Sequence, residues 1–412
     1  MQDAADLAAW AASGAMSLTG PADGAPTVAP ASVASAMHAA AHDLATQSSR
    51  WGHTVQLDGP ALLGERAALT AMTRNGSTSV GGSARFVRCV DDWVALNLPR
   101  PDDVAALPAL VGMQVEPDDW PVIEAAIAAS RSDDLVAQAA SLGIAVGRAR
   151  ERPSPASPVS ERHRGGPRSP RARPLVVDLG SLWAGPLAGG LLRAAGARVI
   201  KVEGRTRPDG ARRGSTAFFD LLNAGKEMVT VDFADRADVA LFHAMLGAAD
   251  LVIEASRPRA MDQIGVDPAA LADAGTSWLS ITGHGRVGDA AMRVGFGDDA
   301  AVEGGLWCAG DGAPWFVADA VADPLTGLVA AAFGAELLAE GRAAVIEAPL
   351  ARAASWAARP SASAPVESDG DGWSVLVGDE RIPVAPPRAR PAGSAAPAPG
   401  AHDAEIRAEF GA

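Results

Sequence analysis

The run that starts at Pro174 constrains this chain more than any other. PLVVDLG is a short apolar stretch interrupted only by Asp178. AGPLAGGLLRAAG follows, with Pro186 near its start and Gly196 at its end, and then comes ARVIKVE. A buried strand, a helix with proline in its first turn and glycine at its stop, and a second buried strand make a βαβ unit. Such strands are parallel and joined by a right-handed crossover. MVTVDF, ADLVIEA and TSWLSITGHG repeat the strand signature, separated by helical stretches such as ADVALFHAMLGAA and DPAALADAG. The expected fold is α/β, a Rossmann-like open parallel sheet. Ligands of such sheets bind beyond the carboxyl ends of the strands. Here those ends are Leu179 to Trp183, Glu203-Gly204-Arg205, and Glu254-Ala255-Ser256-Arg257.

Around this unit the chain divides into four parts. Residues 1–148 alternate Ala-rich amphipathic segments with short apolar strands. Within them RFVRCVDDWVALNLP (85–99) reads as a hairpin, and the two stretches after it as short helices with acidic starts. Residues 149–174 are rich in Pro, Ser and Arg, the composition of an extended, mobile linker with solvated arginines. Residues 175–345 hold the sheet, and 346–412 a smaller α+β segment and a tail whose GDGWSVLVGDERIPVAPP resembles the earlier hairpin. A longer likeness links 23–45 with 311–339. Both open on DGAP and pass through Val-Ala into an AAA-containing helix, with Ser32 opposite Asp323. The expectation is a degenerate N-terminal repeat lacking its opening βαβ region and its carboxylate.

Charge and composition exclude several functions. A net charge of −14 argues against nucleic acid as partner, and any bound anion needs a local basic site. Two cysteines, Cys89 and Cys308, make no disulfide framework and no zinc site. MQDAADLAAW has no basic n-region, and no apolar run reaches the roughly 20 residues of a membrane helix, so a soluble cytoplasmic protein is expected. The basic residues are nearly all Arg; the only lysines are Lys201 and Lys226, both in the sheet region. Lysine is a compact point charge that Arg does not replace well at some anion sites.

The chemistry-bearing motifs are few. The glycines of GSLWAGPLAGG do not form G-x-G-x-x-G, although Glu203 lies where an acidic residue contacts ribose in dinucleotide enzymes. G-x-S-x-G, H-E-x-x-H, C-x-x-C and a phosphate-binding Walker loop are absent. His284, in ITGHGRVGD, is the one histidine at a strand end. Asp319 and Asp323 stand in an otherwise apolar stretch, and Asp323-Pro324 by itself reads as a helix cap.

VVDLGSLWAGPLAGGLLRAAGARVIKVEG, then FFDLLNAGKEMVTVDF, LVIEASRPRAMDQIGVD, SITGHGRVG and ADPLTGL, in this order, resemble the family III CoA-transferases. This is the CaiB/BaiF group of formyl-CoA and carnitine CoA-transferases, which also includes α-methylacyl-CoA racemases. The resemblance covers roughly residues 174–340 and, more loosely, 85–110 and 366–391. It implies that Asp323, in its D-x-x-T-G setting, attacks a thioester carbonyl to give a mixed anhydride and then an aspartyl-CoA thioester. It implies CoA contacts at Leu182, Trp183 and Ala184, followed by Gly185-Pro186, and at Arg205, Lys226, Ala255, Ser256 and Arg257, with His284 grouped beside them. CoA or acyl-CoA is then the substrate, with a carboxylic acid as co-substrate and no tightly bound cofactor or metal.

The sequence also departs from the family pattern. EASRPRA replaces a wording closer to E-N-F-x-P-G, which removes the Asn and Phe contacts. The racemase branch pairs a His with its Asp, whereas GFGDDAAVEGG offers Asp298, Asp299 and Glu303 but no histidine. That favours a transferase, with a racemase-like enzyme using Asp323 as base, or a non-catalytic CoA-binding relative, as alternatives. Family transferases form interlocked dimers, so one and a half fused copies imply a homodimer or a single-chain pseudo-dimer.

Overall fold

The computed structural model describes residues 2–28, 30, 32–256, 258–359, 363–370 and 372–411. The chain opens with three helices, α1 (Gln2–Ala12), α2 (Ser32–Ser48) and α3 (Glu65–Thr70). An antiparallel sheet follows, of β1 (Ala84–Arg88), β2 (Trp93–Asn97) and β3 (Ala145–Arg148). The hairpin expected at 85–99 is β1–β2, paired Arg85 to Leu96 and Val87 to Val94. Four helices separate β2 from β3: α4 (Pro101–Ala105), α5 (Leu107–Val111), α6 (Trp120–Ile127) and α7 (Ser132–Leu142). They bury Leu107, Ile123 and Leu135 against Val87, Val94 and Leu96, a small core separate from the main one.

The stretch expected as a free linker is partly sheet. β4 (Ser160–Pro167) pairs antiparallel with the last strand of the main sheet, despite a composition with almost no large apolar side chain. Its charges are used by partners: Arg162 pairs with buried Glu347, and Arg168, just beyond the strand, with buried Asp250. Charge and backbone pairing, which composition does not reveal, order this segment.

The main sheet continues with β5 (Leu175–Leu179), α8 (Ala184–Ala194), β6 (Arg198–Gly204), α9 (Thr216–Asn223), β7 (Glu227–Val231), α10 (Arg236–Ala248) and β8 (Leu251–Glu254). After α11 (Pro258–Gln263), α12 (Pro268–Asp273) and β9 (Ser277–Thr282) come α13 (Gly297–Glu303), a short hairpin of β10 (Trp307–Cys308) and β11 (Trp315–Phe316), α14 (Ala322–Glu340) and β12 (Arg342–Pro349). The strand order is β4-β12-β9-β8-β5-β6-β7, parallel throughout except for β4. The six parallel strands follow the 3-2-1-4-5-6 order of dinucleotide-binding sheets, as the sequence implied. The switch point falls between β5 and β8, where Leu179 lies beside Glu254.

The chain ends with α15 (Leu350–Ala357), a small sheet of β13 (Val366–Ser368), β14 (Trp373–Val377) and β15 (Glu380–Pro383), and α16 (Asp403–Phe410). Before α16 the tail returns to the main sheet. His402 and Asp403 accept the Met228 and Thr230 amides, which covers the open edge of β7.

Helix α14 is the centre of the molecule. It is apolar on all sides and packs on α2, α8 and α15. Among the described residues it is the one helix long and apolar enough to cross a membrane, contrary to the sequence-based expectation, but most of it is buried inside the protein. The two ends of the chain exchange partners around it. α13 packs on β2 and β3 of the N-terminal segment, whereas α1 packs on β14 and β15 of the C-terminal one.

Candidate functional site

The first strand-end loop is held from below. Asp178, fully buried at the end of β5, accepts the Gly180 amide at 2.8 Å and the Lys226 ammonium at 2.8 Å. Lys226 also donates to the Pro186 carbonyl at 2.7 Å and to Asn223 Oδ1 at 2.9 Å. Its three N–H bonds are thereby used and its side chain has no exposure, so it has no donor left for a ligand. Burial pulls its pKa down to about 8 against the attraction of Asp178. Lys201 is equally buried, bonded to the Gly180 carbonyl at 2.6 Å and paired with Asp209 at 3.0 Å. Asp209 in turn accepts the Leu182 amide at 2.9 Å. Both lysines of the chain therefore build the scaffold of the loop. In this structure Lys226, expected at CoA, is part of that scaffold and out of contact with solvent.

What the scaffold presents is Leu182, Trp183 and Ala184. Leu182 is exposed and has a φ of 68°, a conformation that costs a branched side chain roughly 1–2 kcal/mol and clusters at functional loops. Trp183 is buried, with its ring 4.9 Å from Phe218 at 81°. Gly185 must be glycine: a Cβ there would lie 2.8 Å from the Gly180 Cα, where the loop doubles back on the helix. Ala184 opens α8 and meets α14 one turn past Asp323, since a Cβ at Gly327 would be 2.8 Å from its carbonyl oxygen.

The other strand ends divide. Ala255 lies beside Gly185, and the Ser256 amide and hydroxyl both bond Glu254, which keeps them next to the first loop. Arg257 lies outside the described residues. Arg205, at the end of β6, is half exposed and 3.1 Å from Asp238. Glu203 is not free for a ribose, because Oε1 accepts from Arg212 Nε at 3.0 Å and Oε2 from Arg212 Nη2 at 2.7 Å. His284 is enclosed, and burial beside Arg293 pushes its pKa down to about 3, so it stays neutral.

Asp323 lies inside the first turn of α14, with Val321 in the capping position, so its side chain does not serve as the N-cap. It keeps partial exposure although protein surrounds it densely. Burial pushes its pKa up to about 7, against the pull of Arg66 and a bond from the Gly297 amide. A Cβ on Gly297 would fall 2.5 Å from Asp323 Oδ2 and 2.3 Å from the Ala320 carbonyl, so only glycine lets this backbone reach the carboxylate. The loop leading in is strained: Ala318 and Ala320 have φ of 50° and 44°. Thr19 Oγ1 holds the Ala318 amide at 2.9 Å, and Asp298 Oδ1 the Ala320 amide at 3.1 Å.

Between those alanines sits Asp319, wholly buried and gripped by Arg66 with two bonds, one from Nε at 2.9 Å. Arg66 also lies over the Trp183 ring, 4.7 Å from its centroid. Asp298, raised to about 6 by burial and by Asp319, completes the cluster. Behind it Asp299, raised to about 7 by burial, accepts from Asn97 at 2.8 Å. Glu303 binds Arg148 at 2.8 Å and Arg293 at 2.9 Å. Thr19, Arg66, Asn97 and Arg148 all come from the N-terminal segment. The sequence reading missed them because no local motif marks them; only the unusual density of carboxylates at 298–323 hinted that a cation had to arrive from elsewhere.

Residues 174–374 match the model of CoA-transferase family III. The alpha subunit of a succinyl-CoA–L-malate CoA-transferase of Chloroflexus aurantiacus is 32% identical over 170 residues, 39% of this chain and 40% of that protein. A succinate–glutarate CoA-transferase of Agrobacterium fabrum is 31% identical over 173 residues, 37% of this chain and 43% of its own. The chain thus spans about two fifths of the length of these relatives. A CAIB/BAIF family structure from Brucella suis aligns with a TM-score of 0.44 at 27% identity, over 49% of this chain and 64% of that one.

Proposed function

We propose, from the match of residues 174–374 to the model of CoA-transferase family III, that this chain moves CoA from an acyl-CoA thioester to a carboxylic acid, with Asp323 as nucleophile. The observation that carries the reading is the Asp323 carboxyl itself. It keeps partial exposure at the start of α14, the Gly297 backbone approaches it closely, and burial raises its pKa to about 7. A desolvated carboxylate that is still ionised to a useful extent at pH 7 is a stronger nucleophile than a hydrated one.

In the proposed sequence, an Asp323 oxygen bonds to the thioester carbonyl carbon. The C–S bond breaks, and CoA leaves as thiolate from a mixed anhydride. The thiolate then attacks the aspartyl carbonyl, which releases the donor acid as carboxylate and leaves an aspartyl-CoA thioester. The acceptor carboxylate attacks that thioester and expels thiolate. The thiolate returns to the acceptor's acyl carbon, giving the new acyl-CoA and free Asp323. No net proton is consumed, consistent with a site that has no titrating histidine near neutral pH.

CoA is read as lying over Leu182-Trp183-Ala184 and Ala255-Ser256, with Arg205 at a phosphate, and as substrate rather than resident cofactor. α-Proton exchange, the racemase alternative, needs a second acid–base group. A His284 held neutral down to about pH 3 argues against that residue filling the part. The packing of α13 on β2 and β3, and of α1 on β14 and β15, is in keeping with a single-chain pseudo-dimer or one half of a homodimer; a cytoplasmic location and one working carboxylate belong to the same proposal. At the position opposite Asp323, Ser32 donates to the Ala357 carbonyl at 2.7 Å.

The test is intact-protein mass spectrometry with a panel of acyl-CoAs, with and without hydroxylamine, beside Asp323→Ala. A hydroxylamine-labile adduct on the wild type alone supports the reading. CoA binding with no adduct from any donor overturns it.

A further inference from the structure

A cavity of about 310 Å³ lies at the opposite end of the parallel strands from the candidate acyl-CoA site. Arg198 opens β6 and Glu227 opens β7, whereas the loops expected to carry CoA follow the strands. At about 3.3 Å per residue, the seven residues of β6 keep the two ends roughly 20 Å apart. Three stretches of chain meet around the cavity. His53 comes from the connection between α2 and α3, Arg173 from the approach to β5, and Arg193, Arg198 and Glu227 from α8 and the sheet.

The charges on its walls do not cancel. Both oxygens of Glu227 accept from Arg198, at 2.9 Å from Nε and 2.7 Å from Nη2, and Arg198 also bonds Glu409 at 2.5 and 2.6 Å. The side chains of Arg173 and Arg193 have no hydrogen bond or ion pair among the described residues. Three guanidiniums against two carboxylates leave a positive site in a chain of net charge −14. Any anion must seek such a local basic site.

Arg193 does not serve its own helix. Basic side chains near a helix end commonly bond the last carbonyls. Here the Leu192 and Arg193 carbonyls accept the Ala197 and Gly196 amides at 3.0 and 2.9 Å, and the Ala195 carbonyl accepts from Trp51 Nε1 at 2.5 Å. The guanidinium instead turns its face to Gly225, where a Cβ would lie 2.8 Å from Nη1, 3.1 Å from Cζ and 3.2 Å from Nε. Its Nε is buried without a partner among the described residues, so the protein supplies this guanidinium with no acceptor.

We propose that the cavity binds a small dianion, a phosphate monoester or a dicarboxylate, held by the Arg193 and Arg173 guanidiniums and enclosed by His53. Guanidinium forks match both kinds of oxyanion. The volume is at the low end for ligand pockets, which suits a small metabolite better than a nucleotide. The His53 ring closes one side over Gly196, where a Cβ would lie 2.3 Å from its Cδ2. A ligand held there ties the N-terminal connection to the sheet and stabilises the folded chain. The proposal is independent of the transferase reading.

The test is isothermal titration of the full chain with inorganic phosphate, glycerol 3-phosphate and succinate at constant ionic strength, with thermal melting alongside. One saturable site per chain and a raised melting temperature are expected, and the tightest probe identifies the group bound. Arg193→Gln and Arg173→Gln should each weaken binding about tenfold. Arg173 is exposed, so its variant reads binding without disturbing the core. Arg164→Gln, which removes an exposed charge on β4, should leave binding unchanged. Absence of saturable binding up to about 10 mM of all three probes overturns the proposal. So does unchanged affinity in both cavity variants, or an equal loss in Arg164→Gln, which would mark a general charge effect.

Discussion

Lys226 Nζ sits 2.8 Å from Asp178 Oδ2 with neither side chain exposed, so the two close the underside of the loop that follows the first parallel strand. A lysine that a motif places at the ligand is here a rivet between β5, α8 and the start of β7. Removing one partner of such a pair leaves an uncompensated buried charge, which costs more than the pair contributes.

Lys226→Met should therefore cost about 3–5 kcal/mol of stability, seen as a lower denaturation midpoint in urea. Any loss of CoA affinity should follow unfolding and vanish in the fraction that remains folded. Tight folding combined with specific loss of CoA affinity would restore the ligand role.

Arg205→Ala should behave in the opposite way. The side chain is 54% exposed and pairs with Asp238 at 3.1 Å, so stability changes little. CoA affinity should fall roughly tenfold at low salt and less at high salt, because exposed charges are screened within a Debye length of about 8–10 Å. Isothermal titration at two salt concentrations decides the matter.

Gly297→Ala should damage the site. The added carbon would press on the Ala320 carbonyl and on Asp323, at 2.3 and 2.5 Å before relaxation. Overpacking of this kind costs about 1–3 kcal/mol. Adduct formation should fall by more than the loss of folded protein accounts for, when mass spectrometry and thermal melting are compared on the same sample.

Acidity should show in both rate and stability. The first step should lose about tenfold per pH unit below pH 7, as Asp323 becomes protonated. Asp299 is held near 7 in the folded chain against about 3.9 when unfolded. The folded state thus binds more protons between about pH 4 and 7. The stabilisation from protonated Asp299 is fully present below that window and lost as pH rises through it. Asp299 Oδ2 is buried and without a hydrogen-bond partner among the described residues. Asp299→Asn removes the charge that burial disfavours and should raise stability at pH 8 by about 1–3 kcal/mol, with no gain at pH 4. Melting curves at the two pH values test the sign.

The sequence by itself determined the sheet. Apolar runs bounded by glycine and proline, at βαβ spacing, dictate parallel strands and the right-handed crossover, and mark Leu182 and Ala255 as strand-end positions; that β5 and β8 are neighbours at the switch point came from the structure. Asp323 was singled out by its D-x-x-T-G likeness to the family III CoA-transferases, since its local pattern by itself reads as a helix cap. Only the tertiary structure decided what surrounds it. Lys226 and Glu203 carry residue types suited to ligands, yet Asp178 and Arg212 hold them. Arg66 carries no motif, yet it pairs with buried Asp319 and lies over the Trp183 ring. Backbone periodicity is short-ranged and can be read along the chain. Electrostatic environment is a sum over neighbours in space, and here those neighbours come from segments hundreds of residues apart.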